Sequence, residues 1–258
     1  MITTYDYEIT AEAIVFANSG DSCVHLLLGD EISTAMHNRV KKLYLALRDQ
    51  KIAGIREVVP AYRSVSVYYD PIQMSRRELV EWVKCCIRDG NGEQAGGKVR
   101  KIRIPTVFGG EYGPDLKRVA DFHGFTQEQV VEKFCKAEFL NYFLGFMPGK
   151  PYLGGLPAEL ETPRMEVPRL KAPAGTVVLF GKSAGVFGVQ QPTGANCIGR
   201  TPLKIYDPDS DSPTLLQMGD YLTFYQITPE RFEALAEEIA AGRYQPEISY
   251  QEEPTCMK

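Results

Sequence analysis

The sequence predicts an α+β protein in two parts, a small α/β sandwich followed by a larger part built mainly of short strands. In the first 90 or so residues, short β-type runs alternate with two amphipathic helical patterns. A polar, Gly-rich segment from Asp89 to Lys98 then interrupts both patterns. We therefore predict a first domain at 1–98, a second at 99–242 and a polar, poorly ordered tail at 243–258.

The order of elements in the first part favours a ferredoxin-like sandwich, in which two helices cover one face of an antiparallel sheet. A Ser-x-x-Glu capping box marks the start of the second helix. The predicted elements are one or two strands within 7–17, a strand from Cys23 to Leu28, a helix from 31 to about 49, a hairpin of Ile55 to Pro60 and Ser64 to Tyr69, and a helix capped by Ser75 and Glu78.

The second part begins with a strand and two helices and continues with β runs separated by Gly and Pro, which is the spacing of a barrel or sandwich. Thr126 and Gln129 form another capping box, and Thr228-Pro229 predicts the start of a last helix that ends at Gly242. The predicted elements are a strand over Val99 to Val107, helices from Pro114 to Gly124 and from Thr126 to about Ala137, and β runs at Phe139 to Gly145, Gly175 to Phe180, Gly185 to Val189, Thr201 to Tyr206 and Tyr221 to Ile227.

Composition excludes several functional classes. The chain has 258 residues and a formal net charge of -4, so it lacks the basic excess of a general nucleic-acid binder. No apolar run approaches the roughly 20 residues that span a bilayer, and the first residues do not resemble a secretory signal, so we expect a cytoplasmic protein without membrane contact. The six cysteines form no C-x-x-C pair and predict reduced thiols, and the three histidines lack metal-ligand spacing.

One stretch, Tyr142 to Leu156, contains too many Gly and Pro residues for a helix or a regular central strand. It is also too apolar for a solvated linker. Such backbone must be held by its neighbours, because its polar groups need partners. The stretch is therefore either a structural corner between strands or the lining of a pocket.

Four side chains are candidate substrate contacts. Lys150 is unusual in an apolar turn and is either a binding cation or a snorkelling side chain. Tyr152 is a pocket wall or a core residue. Arg200 is either an anion-binding fork or a structural arginine at a strand end. Lys182, at a strand end, is either a point charge for an anion or a surface lysine.

Gly181-Lys182-Ser183 does not form a phosphate loop. Five residues separate Gly175 from Gly181, whereas the motif requires four, and no predicted helix follows. We also find no nucleophile–base set near the central stretch. A site completed by another protein chain would explain that absence.

The motifs of the chain resemble, in order and over nearly its whole length, the family of 5-oxoprolinase B subunits, also called KipI-type or allophanate hydrolase subunit 1. The matching segments are Gly20-Asp21-Ser22, Arg56 to Ser64, Gly109 to Leu116, Gly145 to Gly149, Tyr152 to Pro157, Thr162-Pro163-Arg164, Val167-Pro168-Arg169, Pro173 to Val177 and Ile198 to Leu203. The resemblance implies a cyclophilin-like β-barrel in the second domain. We take Pro148 and Gly149, and Gly199 and Thr201 beside Arg200, as further substrate-binding candidates.

The resemblance also implies an activity. Members look like one partner of a heteromeric pair, in which the other partner is a KipA-like protein, the C component of 5-oxoprolinase. Together with a third protein, the A component, the pair opens the lactam 5-oxoproline to glutamate using ATP. The chain would then be part of a cyclic-amide hydrolase, inactive alone. Two alternatives are a KipI-type inhibitor of a sensor histidine kinase and a carboxyltransferase-like subunit acting on urea or allophanate, which would need biotin on another protein. The chain departs from the family pattern at Phe134, Lys150, Lys182-Ser183-Ala184 and Ala195-Asn196.

Overall fold

The structure, a computed structural model, describes residues 6–7, 14–50, 52–88 and 98–252. The chain forms two compact units, of which the second spans Val99–Gln251. The N-terminal segment of the first unit ends at Lys98, which is also the domain boundary predicted from the sequence. The predicted linker at 89–97 lies outside the described residues, and the domain assignment stays a prediction.

The first unit is an antiparallel sheet with two helices. Its strand order is β1-β2-β3-β5-β4, and α1 packs on β4 and β5. The buried face of the sheet includes Phe16, Leu26 and Val67. The elements are β1 (Asp6–Tyr7), β2 (Ile14–Asn18), β3 (Cys23–Leu27), α1 (Thr34–Arg48), β4 (Ile55–Pro60), β5 (Ser64–Tyr69) and α2 (Arg76–Arg88).

This topology differs from a standard ferredoxin-like unit in one respect. In that fold, the strand after the second helix returns to lie beside the first strand. Here β3 is flanked by β5 and by β2, which precedes both helices. The two-helix antiparallel arrangement agrees with the prediction, whereas the ferredoxin-like assignment stays a prediction.

Local signals place the helix ends. The Ser75 hydroxyl accepts from the Glu78 amide at 3.3 Å, and the Glu78 carboxylate accepts from the Ser75 amide at 2.7 Å. Helix α1 begins at Thr34 rather than at 31, because the Ser33 side chain caps it by accepting from the Met36 amide. The second predicted capping box, Thr126 with Gln129, is also present.

The second unit holds most of the strands. Its elements are β6 (Lys98–Phe108), α3 (Leu116–His123), α4 (Gln127–Lys136), β7 (Phe139–Leu144), β8 (Pro151–Gly154), β9 (Arg169–Ala172), β10 (Thr176–Phe180), β11 (Ser183–Val186), β12 (Gln191–Thr193), β13 (Asn196–Arg200), β14 (Tyr221–Gln226), α5 (Pro229–Ala240) and β15 (Glu247–Glu252).

Seven of these strands close a barrel. They follow the order β13-β10-β11-β8-β7-β14-β6, and a further pairing of β13 with β6 completes the ring. The β14–β6 pair is parallel, while the other described pairs in the ring are antiparallel. Strand β15 lies beside β6, and β9 with β12 forms a separate ribbon. The mixed α/β architecture is confirmed, and the barrel is consistent with a cyclophilin-like one.

Alternation along β10 separates two apolar clusters. Val177 and Leu179 belong to the main core of the barrel unit, together with buried residues of α3 and α4. Val178 belongs to a second cluster with Ala172, Phe187, Ala195 and Cys197, and Phe180 packs against it. Since successive strand residues point to opposite faces, this second cluster lies on the other face of β10 from the main core.

Two predicted segments were wrong. The strand expected at Thr201 to Tyr206 is instead Asn196–Arg200. A Cβ at Gly199 would lie 2.7 Å from the Val107 carbonyl oxygen, so β13 approaches β6 closely enough to need a glycine there, and that glycine hides the strand pattern.

The second segment is the predicted tail at 243–258, which contains β15. Its polar side chains make it resemble a tail, yet the Glu247 carboxylate accepts from Arg103 at 2.7 Å and from the Tyr225 hydroxyl at 2.9 Å. Residues 253–258 lie outside the described part. No helix in the described ranges is long and apolar enough to cross a membrane.

Candidate functional site

The central stretch is a β-hairpin between β7 and β8. Its turn has Pro148 and Gly149 at the two middle positions, Gly149 has φ 66°, and the Lys150 amide donates to the Met147 carbonyl at 3.1 Å. Proline followed by a residue with positive φ defines a type II turn. Lys150 therefore occupies a fixed position where the chain re-enters the barrel.

The glycines of this hairpin are covered by aromatic rings from the facing strand. A Cβ at Gly145 would lie 2.1 Å from the Tyr152 ring, and one at Gly154 would lie 2.4 Å from the Tyr142 ring. The stretch is thus more regular than its composition predicts, because each tyrosine fills the space that its glycine leaves open.

Four aromatic rings surround the Lys150 ammonium. Its Nζ lies 5.4 Å from the centroid of Phe146, 5.7 Å from Tyr152, 5.8 Å from Phe187 and 5.9 Å from Phe180. Tyr152 is itself stacked on Phe143 at 4.5 Å. Lys150 is half-buried, so its charge is held against aromatic faces by weak cation–π attraction rather than by full hydration.

Two more cations belong to this region, one against the Phe180 ring and one in the turn that follows it. The Arg164 guanidinium stands 4.9 Å from the Phe180 ring centroid. Lys182 is exposed in the turn that follows Phe180, and the Gly181 amide of that turn donates to the Thr162 carbonyl at 2.7 Å, two residues before Arg164. We call Lys150, Arg164, Lys182 and the rings of Phe146, Tyr152, Phe180 and Phe187 the Phe180 site.

The Phe180 site has an excess of positive charge. Within the described ranges, no carboxylate forms an ion pair with Lys150, Arg164 or Lys182. Burial, and to a smaller extent the neighbouring Arg164 charge, lowers the pKa of Lys150 below its ordinary value. Both effects would be offset by a bound anion, so the arrangement is suited to a ligand carboxylate next to a flat apolar body.

An ion pair to a buried carboxylate fixes the segment that carries Arg164, which we call the strap (residues 164–172). The Arg169 guanidinium pairs with Asp115, whose Oδ2 also accepts from the Cys197 amide at 2.8 Å. The Met165 amide donates to the Gly194 carbonyl at 2.8 Å. Arg169 is therefore a structural residue of the barrel unit.

Arg200 occupies a different environment. Its guanidinium stands 5.5 Å from the Tyr112 centroid and 5.3 Å from that of Phe232 on α5. It pairs across the sheet with Thr176, at the opposite end of β10 from Phe180. The structure thus brings Lys150 and Tyr152 together and places Arg200 among other rings.

The remaining candidates have evident structural contacts. Thr201 is buried, and its hydroxyl accepts from the Leu203 amide at 3.3 Å. Gly199 allows the close approach of β13 to β6 described above. Gly149 packs against Ile205 and Tyr206 and is also buried, which leaves the hairpin turn to orient Lys150.

Sequence reasoning did not include Arg164, Phe146, Phe180 and Phe187 in the site. The available signal was the Thr162-Pro163-Arg164 motif, which marks a defined segment but does not show what it contacts. Pairing between β10 and β11, and the bridge from Thr162 to Gly181, brings these residues together.

The first unit contains a Ser–His pair that the sequence did not reveal. His25 Nδ1 lies 2.7 Å from Ser66 Oγ, between facing residues of β3 and β5. No carboxylate in the described part of the chain hydrogen-bonds to His25, so the pair lacks the orienting acid of a catalytic triad. We assign it to cross-strand stabilisation of the sheet.

The Gly181-Lys182 turn and the acidic, histidine and cysteine side chains of the described residues are the candidates for nucleotide and metal sites. Gly181 and Lys182 form a two-residue connection between β10 and β11, with no helix behind it, so this turn does not fit a phosphate-binding loop. The described residues contain no group of three or more His, Cys, Asp or Glu side chains that could hold a metal ion.

A separate cleft of about 610 Å³ lies along α4 and β14. Its lining includes the aromatic residues Phe108 and Phe224 and the acidic residue Glu132. Glu132 pairs with Lys136, and the Arg103 of this cleft pairs with Glu247. No sequence-predicted substrate residue lines the cleft.

The five cysteines of the described ranges are free thiols: Cys23, Cys85, Cys86, Cys135 and Cys197. Burial raises the pKa of Cys197 to about 11, whereas Cys85 is exposed. At pH 7.5 a thiol of pKa 11 is ionised in roughly one molecule in three thousand. We expect N-ethylmaleimide to modify Cys85 well before Cys197, as measured by peptide mass spectrometry. Equal rates in folded protein would contradict the burial of Cys197, and urea-unfolded protein provides the control.

Comparison with known proteins shows matches over most of the chain. Residues 14–216 match the family model described as carboxyltransferase domain, subdomain C and D. A Bacillus subtilis relative, named as the B subunit of 5-oxoprolinase, is 32% identical over 233 residues, which cover 85% of this chain and 95% of the relative.

Solved structures agree with this match. The crystal structure of TTHA0988 aligns with a TM-score of 0.69 at 30% identity, covering 80% of this chain. This chain spans only about two fifths of that protein, because the alignment covers 40% of it. The Kluyveromyces lactis urea amidolyase aligns with a TM-score of 0.73 over 96% of this chain and 17% of its own, at 19% identity, which is a likeness of fold alone.

Proposed function

Since this chain belongs to the carboxyltransferase subdomain C and D family, we propose that it is the B subunit of a cytoplasmic 5-oxoprolinase-type complex. With a KipA-like C component and an A component, it would open 5-oxoproline to glutamate with consumption of ATP. The observation that carries the proposal is the match to the Bacillus subtilis B subunit along 85% of this chain and 95% of that one.

The Phe180 site supports a substrate-binding role for this chain. At neutral pH 5-oxoproline carries one carboxylate on a flat five-membered lactam. Lys150 and Arg164 would pair with the carboxylate, and the exposed ring of Phe146 and the ring of Tyr152 would contact the lactam. Lys182 would add long-range attraction from its exposed turn.

Arg200, with Gly199 and Thr201, would act apart from this contact, at the other end of β10. The aromatic contacts of its guanidinium are compatible with a second anion contact and with a structural role. Pro148 and Gly149 would contribute by holding the turn that orients Lys150.

In this proposal the chain binds and orients the substrate, and its partners supply the remaining chemistry. The Phe180 site contains cations and rings, and its cations offer electrostatic stabilisation of an anion. ATP would supply the free energy for opening a stable lactam, and we assign its binding to a partner protein because the Gly181-Lys182 turn does not fit it.

Reconstitution tests the proposal. The chain and the KipA-like and A components from the same cells are purified and mixed with 5-oxoproline and ATP, and glutamate is measured by an enzyme-coupled assay. We expect glutamate only when all three proteins and ATP are present, and none from this chain alone.

Other outcomes of the same experiment would redirect the assignment. A complex that leaves 5-oxoproline intact but carboxylates urea with a biotin carrier would replace the proposal with the carboxyltransferase-like alternative. Inhibition of sensor histidine kinase autophosphorylation, with no lactam turnover, would replace it with the KipI-type alternative.

A further inference from the structure

The most exposed large apolar side chains of the barrel unit lie in and beside the strap. Phe146, Val167 and Leu170 are 81%, 80% and 88% exposed, respectively. The other strongly exposed apolar residues described in this unit, Phe122 and Tyr250, are 55% and 65% exposed. Scattered exposed apolar residues are normal, but Val167 and Leu170 lie three residues apart on the strap, whose Arg164 contacts Phe180, and Phe146 belongs to the same Phe180 site.

The backbone that carries these side chains is anchored. Arg164 stands on Phe180 at one end of the strap, and Arg169 pairs with the buried Asp115 near the other. Ala172, at the end of β9, is buried in the second apolar cluster. Leu170 lies between two anchored positions, so its exposure follows from the fold.

The strap also presents an edge strand. In the described part of the chain, β9 has one hydrogen-bonded neighbour, β12. Natural proteins usually protect such edges, and an exposed edge strand with a large apolar side chain is typical of a docking surface. Lys171 on β9 is also exposed, and its charge opposes unspecific pairing of this edge with strands of other proteins.

Charge distinguishes between two kinds of occupant. The exposed basic residues here are Arg164, Lys171 and Lys182, and Glu166 is the one exposed acidic residue of the strap. A second copy of this chain, docked face to face, would bring these basic groups together in a symmetric contact. A different protein with an apolar patch and an acidic rim would match both features.

We infer that the strap and Phe146 form the docking surface for an acidic-rimmed partner, the KipA-like component of the proposed complex. This inference rests on the proposed function. Docking there would bury Val167 and Leu170, and it would cover the exposed ring of Phe146 at the Phe180 site. The partner would thereby shield the Lys150 ammonium from water and strengthen its attraction for a substrate anion.

Binding measurements test this surface independently of turnover. The purified KipA-like component is immobilised, and the full-length chain is titrated by biolayer interferometry. We expect the double variant Val167→Asp/Leu170→Asp to raise the Kd at least 50-fold, because it places two carboxylates against an acidic rim and removes two apolar contacts. Raising NaCl from 50 to 300 mM should weaken wild-type binding several-fold.

Ile72→Asp is the matched control, since Ile72 is 94% exposed in the other unit, and its Kd should stay within twofold of wild type. Circular dichroism verifies that each variant is folded. A folded double variant that binds as tightly as wild type would overturn the surface and leave the proposed function intact. Wild-type protein that does not bind the KipA-like component would overturn both. Sedimentation could also show a wild-type homodimer that dissociates in the double variant. The occupant of the surface would then be a second copy of this chain and not the KipA-like component.

Discussion

Lys150→Met should lower kcat/KM of the reconstituted complex for 5-oxoproline by about 100-fold, mainly through KM. Truncating one partner of a desolvated charge pair costs about 2–5 kcal/mol, and each 1.4 kcal/mol is about tenfold. An interaction made equally in the ground state and the transition state appears in KM. Methionine retains the aliphatic length and contacts aromatic rings well, so the rings around position 150 should stay packed.

The same substitution should not destabilise the protein. Lys150 is half-buried without a carboxylate partner in the described part of the chain, so removing its charge removes a desolvation cost. Lys117→Met, at an exposed lysine of α3, is the control for losing a positive charge. Steady-state kinetics and urea unfolding would be compared across the set. An unchanged KM in Lys150→Met would remove Lys150 from the substrate site.

Phe134→Ala should lower the free energy of unfolding of the barrel unit by about 3–5 kcal/mol. Phe134 is fully buried, and its ring contacts those of Phe108, Phe139 and Phe224 at centroid distances of 5.9, 4.9 and 5.0 Å. Phe134 is also a position at which the chain departs from the family pattern. The surrounding phenylalanines explain why an apolar ring suits this position.

Urea denaturation followed by circular dichroism provides the measurement. Phe134→Leu, which keeps most of the volume, should cost clearly less than alanine. Phe122→Ala, at an exposed ring on α3, should change stability by no more than about 0.5 kcal/mol. If Phe134→Ala and Phe122→Ala had equal effects, Phe134 would not be a core residue.

Features determined by neighbouring residues could be predicted from the sequence. The Ser75 and Thr126 capping boxes and the Pro229 helix start depend on contacts within one turn, and all three are present. The hairpin of β4 and β5 was also predicted with its correct bounds, because its strands are adjacent in sequence.

Features determined by residues far apart in the chain could not be predicted from the sequence. Strand β15 has a polar sequence and is recognisable only beside β6, and β13 is obscured by its own glycine. The Phe180 site shows the same limit. Lys150, Tyr152 and Lys182 are candidates because of their immediate sequence neighbours: an apolar turn for the first two and a strand end for the third. Arg164 joins them only through the pairing of Thr162 with Gly181.

The closure of the barrel also constrains how the chain folds. Strand β6 opens the unit, yet its parallel partner β14 arrives late, with Lys101 opposite Tyr221, a separation of about 120 residues. Such long-range pairing requires a large loop-closure entropy before its contacts form, so it slows folding. During synthesis, the 11 residues of β6 leave the ribosome long before β14 and β15, the strands that flank β6 in the sheet. During this delay the edges of β6 are open to pairing with the wrong strand or with another chain.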